Sequence, residues 1–242
     1  MSINFSLTLP CFNEEQNILH LYNEFKKLPL AGIKAELIFV DNGSVDLTGE
    51  KIDEVIKINK ADNTNFIIKK ITLESNQGYG GGIVAGLLGS SGDYIGWTHA
   101  DLQTPLIDFY NLYNLINNKK LVFGKGYRVN NRGFDGLISR LHERCASLIL
   151  GFNMREINAQ PKIFHKSVLK YFTNMPKKWT TLDTYANYIC LLNNIEIVKI
   201  DIIFKNRLYG ESKWKNNFSV FVKTIFFNLL YLIKLRLSKG RW

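Results

Sequence analysis

Cysteine is scarce in this chain of 242 residues. The three present, Cys11, Cys145 and Cys190, are far apart, with no Cys-x-x-Cys pair and no histidine cluster beside them. That excludes a zinc-binding motif or a disulfide framework and fits a reducing compartment. Long apolar runs are also missing. The best stretch, 224–233 between Lys223 and Lys234, falls well short of the ~20 residues that a spanning helix needs. No charged-then-apolar leader precedes the first strand pattern, so no secretory signal peptide is expected. Linkers rich in Pro or Ser, internal repeats and low-complexity tracts are absent too. Acid is what the second half lacks: residues 119–242 hold 7 Asp and Glu against 23 Lys and Arg, whereas residues 1–118 hold 14 against 8. The net charge of +10 therefore sits on the second half, which is suited to an anionic partner: phosphate, nucleic acid or acidic lipid.

What is present is an alternation. Strand patterns at 4–9, 35–40, 65–73, 93–97 and 121–124 are separated by helical patterns at 14–27, 46–59, 80–88 and 105–117. Strands too apolar to own a wet face imply a mostly parallel sheet covered on both sides, an α/β fold. Further on, helices are expected at 134–150 and 182–192, with an irregular passage between them and a strand at 195–204. Ligands in such sheets bind at the carboxyl ends of the strands. Polar clusters fall there: Asn13-Glu14-Glu15, Asp41-Asn42-Gly43-Ser44, Asn76-Gln77-Gly78 and His99 to Gln103.

Asp101 and Gln103 are spaced to project the same way from an extended backbone, which suits a hard divalent ion. The competing reading makes Asp101 or Thr104 the cap of a helix opened by Pro105. Asp41 ends a buried strand, where a carboxylate needs a partner such as the N–H groups of a nucleobase; Asp46 is expected to cap the next helix. The run Gly78-Tyr79-Gly80-Gly81-Gly82 mimics a dinucleotide fingerprint but follows the third strand rather than the first. A helix start open to a sugar nucleotide is the better reading. Arg207 and Lys213 flank a turn that can close on phosphate. Trp179, Tyr185, Tyr209 and Trp214 lie among basic residues, yet the acidic rim would repel a polyanion, so no nucleic acid is expected as a partner. The apolar 218–237 segment, ending in Lys234, Arg236, Lys239 and Arg241, reads as an in-plane helix on an anionic leaflet, with a core-packing terminal helix as the alternative.

In this order the motifs resemble the family 2 glycosyltransferases of GT-A fold, in the branch of dolichol-phosphate mannose synthase and related polyprenyl-phosphate sugar transferases. They are Leu9-Pro10-Cys11-Phe12-Asn13-Glu14-Glu15, Val40-Asp41-Asn42-Gly43-Ser44-Val45-Asp46, 76–86, Ala100-Asp101-Leu102-Gln103 and Arg207-Leu208-Tyr209-Gly210-Glu211-Ser212-Lys213. The resemblance implies a GT-A domain over 1–215, with a nucleotide-binding half at about 1–118 and an acceptor half at about 119–215, followed by an interfacial helix at 216–242. It implies that Pro10, Asn13, Glu14, Asp41, Gly78, Ala100, Arg128 and Lys213 hold a UDP- or GDP-linked sugar. Asp101 and Gln103 would ligate Mg2+ or Mn2+, with His99 at the position where the family usually has Asp. Asp101, Asp183 and Arg207 would carry catalysis, Asp183 as the acceptor-site carboxylate.

The implied reaction is an inverting sugar transfer to a polyprenyl phosphate or a lipid-linked glycan. It would serve cell-surface glycan synthesis, peripherally, at the cytoplasmic face of the plasma membrane. A phosphate acceptor needs little base help, whereas a hydroxyl acceptor needs a general base, for which Asp183 is first in line. The opposing reading is a non-catalytic relative that binds nucleotide sugar or lipid, made inert by His99.

Overall fold

The computed structural model describes residues 2–130, 133–177, 179–207 and 218–239. Fourteen of its elements carry the fold. In chain order they are β1 (Ile3–Cys11), α1 (Glu15–Lys26), β2 (Ala35–Asn42), α2 (Thr48–Ala61), β3 (Phe66–Leu73), α3 (Gly78–Leu88) and β4 (Gly92–Trp97). Then follow α4 (Leu106–Ile116), β5 (Val122–Arg128), α5 (Gly133–Leu150), β6 (Lys162–His165), α6 (Trp179–Leu192), β7 (Glu196–Ile202) and α7 (Phe218–Ser238). One sheet of 7 strands runs through both halves of the sequence in the order β3-β2-β1-β4-β6-β5-β7.

The α/β expectation holds, with one addition. Four of the six pairings are parallel, but β6 lies antiparallel between β4 and β5. It falls in the passage expected to be irregular. A strand of 4 residues that starts on a lysine is too short to show alternation. Because β6 runs backwards, its first residues rather than its last lie with the carboxyl ends of the other strands.

Alternation along β1 builds the layers. Phe5, Leu7, Leu9 and Cys11 enter a core shared with α1, α2 and α4. The opposite face of the sheet packs Ile95, Trp97, Phe123 and Phe164 against α3, α5, α6 and α7. On that side β1 presents Ser6, Thr8 and Pro10, and α3 answers with glycine. A Cβ on Gly82 would stand 3.0 Å from Pro10 Cβ, and one on Gly86 would overlap the Thr8 side chain. The glycines of α3 thus let helix and strand approach closely. Gly80 is similarly crowded: a Cβ there would stand 2.5 Å from the Lys177 carbonyl oxygen. This tight packing comes from the chain itself rather than from an open face.

Helix α7 forms where the sequence expects it, but it does not divide into one apolar and one basic face. Leu232 and Leu235 are fully buried in the second core, and Arg236 Nη1 donates to the Leu150 carbonyl at the end of α5 at 2.8 Å. Phe226, Leu230, Ile233 and Leu237 remain exposed. No described helix is long and apolar enough to cross a membrane.

At the sheet end opposite the polar rim, Glu36 is completely buried. It accepts from Ser6 Oγ at 2.5 Å and from the Ser91 N–H at 2.9 Å, and it pairs with Lys69 Nζ at 2.5 Å. Ser6 Oγ in turn accepts from the Gly92 N–H at 2.9 Å, so one carboxylate ties β1, β2, β3 and the start of β4. Glu36→Ala is expected to lower stability by about 3 kcal/mol, because buried donors lose their acceptor while Lys69 turns to water. Urea unfolding measures this; a loss below ~1 kcal/mol would mean that water replaces the carboxylate.

Candidate active site at the carboxyl ends of the strands

Parallel pairing of β1 with β2 and with β4 sets their carboxyl ends side by side. Each strand leaves the sheet through a turn that needs an unusual backbone: Asn13 has φ 58°, Gly43 φ 71° and Leu102 φ 59°. Asn and Gly adopt this left-handed region readily. Leu102 does not, and its strain is offset by burial of its side chain in the first core,.

The first two turns are knitted together. Ser44 Oγ accepts from the Asn13 N–H at 3.1 Å, and Asn13 Oδ1 accepts from the Val45 N–H at 3.0 Å. Asp46 takes the Thr48 N–H at 3.0 Å and the Glu15 N–H at 3.3 Å. It therefore serves the start of α2, as expected, and also that of α1. Asp41 is buried, and its Oδ1 accepts from the Ser44 N–H at 3.1 Å. One partner of its carboxylate is thus its own turn. Pro10 lies against Gly82 of α3, and the Gly78 carbonyl accepts from Asn42 Nδ2 at 2.9 Å. Ala100 is buried beside Asp101.

Asp101 does not cap α4. Its Oδ1 takes the Gln103 N–H at 3.1 Å, closing a turn, so the expected extended backbone is overturned. The inversion at Leu102 nevertheless aims both side chains at one point. Arg207 Nη2 lies 3.2 Å from Asp101 Oδ2, and Arg207 Nε donates to Gln103 Oε1 at 3.2 Å. These two oxygens already share one cation. Hard oxygen donors from one carboxylate and one amide suit Mg2+ or Mn2+ completed by phosphate oxygens and water. No cluster of three or more His, Cys, Asp or Glu suited to a metal occurs among the described residues.

His99 is half-buried and stacks on Tyr79, with ring centroids 4.9 Å apart and planes at 25°. Burial lowers its pKa below the usual imidazole value, against the pull of Asp101 and Asp183. The ring is neutral at neutral pH, with a lone pair for a metal or a donated proton.

Asp183 sits near the start of α6, almost fully buried, 2.8 Å from the ammonium of Lys162. Gln160 Nε2 lies 3.4 Å from each of its oxygens. Lys162 opens the reversed strand β6 and Gln160 lies just before it, and neither is among the sequence candidates. The visible signal is a lone lysine in the apolar stretch Pro161-Lys162-Ile163-Phe164, where a charge needs a buried counter-ion. Lys162 also lies over the Trp97 ring at 5.7 Å. Its strand neighbour Lys125 is buried as well, donating to the Arg155 carbonyl at 2.7 Å and to Asn187 Oδ1 at 2.8 Å. Burial pushes its pKa well down. Arg128 ends β5 at the rim but is committed to Glu156, with Nε 2.5 Å from Oε2. Lys213 lies outside the described residues.

The model of glycosyl transferase family 2 matches residues 6–185. The chain belongs to this family. Among curated members, the undecaprenyl-phosphate 4-deoxy-4-formamido-L-arabinose transferase of Pectobacterium atrosepticum is 25% identical over 233 residues, spanning 94% of this chain. The dodecaprenyl-phosphate galacturonate synthase of Rhizobium johnstonii is 26% identical over 175 residues, 70% of this chain and 50% of its own length. This chain spans 65% of the length of the arabinose transferase. Of solved structures, a mannosyltransferase from Pyrobaculum calidifontis in complex with GDP-Man and Mn2+ superposes with TM-score 0.67 at 12% identity, covering 100% of this chain and 66% of its own. Glucosyl-3-phosphoglycerate synthase of Mycobacterium tuberculosis gives TM-score 0.68 at 15% identity, over 96% of this chain and 80% of its own. The glycosyltransferase fold is thus the GT-A one.

Glu14 titrates in the physiological range. Burial raises its carboxyl pKa to about 7, opposed by the Asn17 bond and assisted by nearby Asp101. Its proton is held more tightly in the folded chain. Its contribution to stability is therefore complete below pH about 4.5, the ordinary value, and is lost as pH rises through about 7,. Glu14→Gln is expected to gain stability relative to the parent across that window and to level off above it. Urea midpoints measured from pH 4 to about 8 test this; a difference that stays constant would contradict it.

Proposed function

We propose that this chain transfers a sugar from a nucleotide donor to a polyprenyl phosphate, with inversion at the anomeric carbon and with Mg2+ or Mn2+ on the donor diphosphate. The observation that carries the reading is the paired aim of Asp101 and Gln103 at one cation position, on a rim where Glu14 and Asp41 stand ready for base and ribose. The relatives named above support the lipid-phosphate acceptor. The bound ion would neutralise charge that grows on the departing nucleoside diphosphate. Arg207, one side chain away, is placed to contact the same phosphates bidentately.

The Lys162–Asp183 pair favours a phosphate acceptor over a hydroxyl one. A carboxylate bonded at 2.8 Å to a buried ammonium is a poor proton acceptor, and a phosphate needs none. Lys162 and Asp183 would instead shape the acceptor side of the site. His99 supports no loss of function on this reading, because a neutral imidazole retains a lone pair for the ion.

The test is incubation of the chain with UDP- and GDP-sugars, Mn2+ and undecaprenyl phosphate, with the lipid product read by mass spectrometry and its anomeric configuration by NMR. A glycosyl phospholipid of inverted configuration is expected. Asp183→Asn should retain activity to within about tenfold, whereas a lost general base would cost roughly 10²–10⁴-fold. Metal-dependent nucleotide binding without turnover over all donors would favour the non-catalytic reading instead.

Membrane attachment through α7 belongs to the same proposal. Phe226, Leu230, Ile233 and Leu237 are exposed at spacings of four, three and four, one stripe of the helix, beside exposed Lys223 and Lys234. Leu230→Glu combined with Leu237→Glu is expected to abolish cosedimentation with phosphatidylglycerol-containing vesicles. Both side chains are exposed, so folding should be unaffected. Undiminished cosedimentation would rule out this face.

A further inference from the structure

The contact that marks the cation position also says what fills it. Asp101 Oδ2 and Gln103 Oε1 are each 3.2 Å from nitrogens of one guanidinium. A divalent ion would need the same two oxygens at about 2.0–2.2 Å, using the lone pairs that the N–H groups now engage. Ion and guanidinium also repel each other. They cannot share the position.

Arg207 is brought there by a built clasp. The Lys205 N–H donates to the Gln103 carbonyl at 2.9 Å, and Gln103 Nε2 donates to the Lys205 carbonyl at 2.9 Å. This second bond fixes the Gln103 amide so that only its oxygen faces the cation. One residue earlier, Phe204 and Asn130 exchange a like pair of bonds, at 3.0 and 2.9 Å. The segment is thus tied to the ends of β4 and β5 at once, which holds Arg207 over Asp101. The buried Lys162 is engaged by Asp183.

We infer that Arg207 is a placeholder cation: it occupies the divalent-ion position when no ion is bound, and ion and guanidinium displace each other. This inference rests on the proposed metal role of Asp101 and Gln103. The clasp can persist through the exchange, because Gln103 keeps its nitrogen on Lys205 while its oxygen changes partner. The displaced arginine stays tethered within reach of the rim. There the diphosphate that accompanies the ion offers it two oxygens. One side chain thereby keeps Asp101 paired before the donor arrives and then turns to the leaving group. Ion binding alone must overcome the arginine; ion binding with a nucleoside diphosphate gives it a new partner. By linkage, the arginine must weaken the ion by the same factor that the ion weakens the arginine.

The test uses the full chain and Mn2+ alone, with free Mn2+ read by electron paramagnetic resonance. Arg207→Ala is expected to bind Mn2+ about tenfold more tightly than the parent, within the ~5–150-fold span of typical couplings. Arg207→Lys should fall between, since a lysine is a point charge without the fork that spans both oxygens. Arg207 is partly exposed, so neither variant threatens the fold. Adding UDP or GDP should narrow or reverse the advantage of the Ala variant, because Arg207 then has phosphate to hold. Equal or weaker Mn2+ binding by Arg207→Ala overturns the placeholder and leaves the metal reading standing. Failure of parent and variant alike to bind Mn2+, with UDP or GDP as well as without, overturns both.

Discussion

Parallel strand pairing is the constraint on which the rest depends. Backbone groups in a sheet covered on both faces have no water to turn to, so the strands must satisfy one another. Register then decides which residues become neighbours. Pairing of Cys11 with Asp41, and of Thr8 with Trp97, puts three strand ends in a row, and their polar turns follow. The polar rim is a by-product of satisfied backbone. Its side chains were placed by hydrogen bonds made far below them, including those around Glu36.

The basic excess of the second half takes a form that composition alone does not show. Several of its cations face inward. Lys125, Lys162 and Arg128 are buried or nearly so, each with a polar partner. Burial of this kind is costly without pairing. Lys162 is accordingly paired with Asp183 and Arg128 with Glu156, while burial pushes the pKa of Lys125 well down.

Much of this was legible in the sequence. Apolar strands alternating with amphipathic helices are enough for the α/β class, and polar clusters at strand ends are enough for the rim, because both follow from local periodicity. Asp101 and Gln103 were found through their spacing, although the turn at Leu102 rather than an extended backbone brings them together. What escaped depends on long-range pairing. β6 is too short to show a period, so Lys162, and Gln160 just before it, had no element to be read from. The partner of Asp183 was unseen for the same reason. The Arg207 contact joins residues more than a hundred positions apart in sequence, brought together by the parallel pairing of β7 with β5 and by the bonds of Phe204 and Lys205 beyond it.

The close seat of α3 on β1 has a mechanical consequence. A helix of 11 residues is a rod roughly 16 Å long, held at Gly86 near one end and carrying Tyr79 at the other. Gly82 against Pro10 and Gly86 against Thr8 fix the height of α3 above β1. A bulkier residue at Gly86, deep in the fold, would push α3 off β1 and disturb the stack of Tyr79 on the His99 ring. The site can therefore be detuned from a position that no substrate ever reaches.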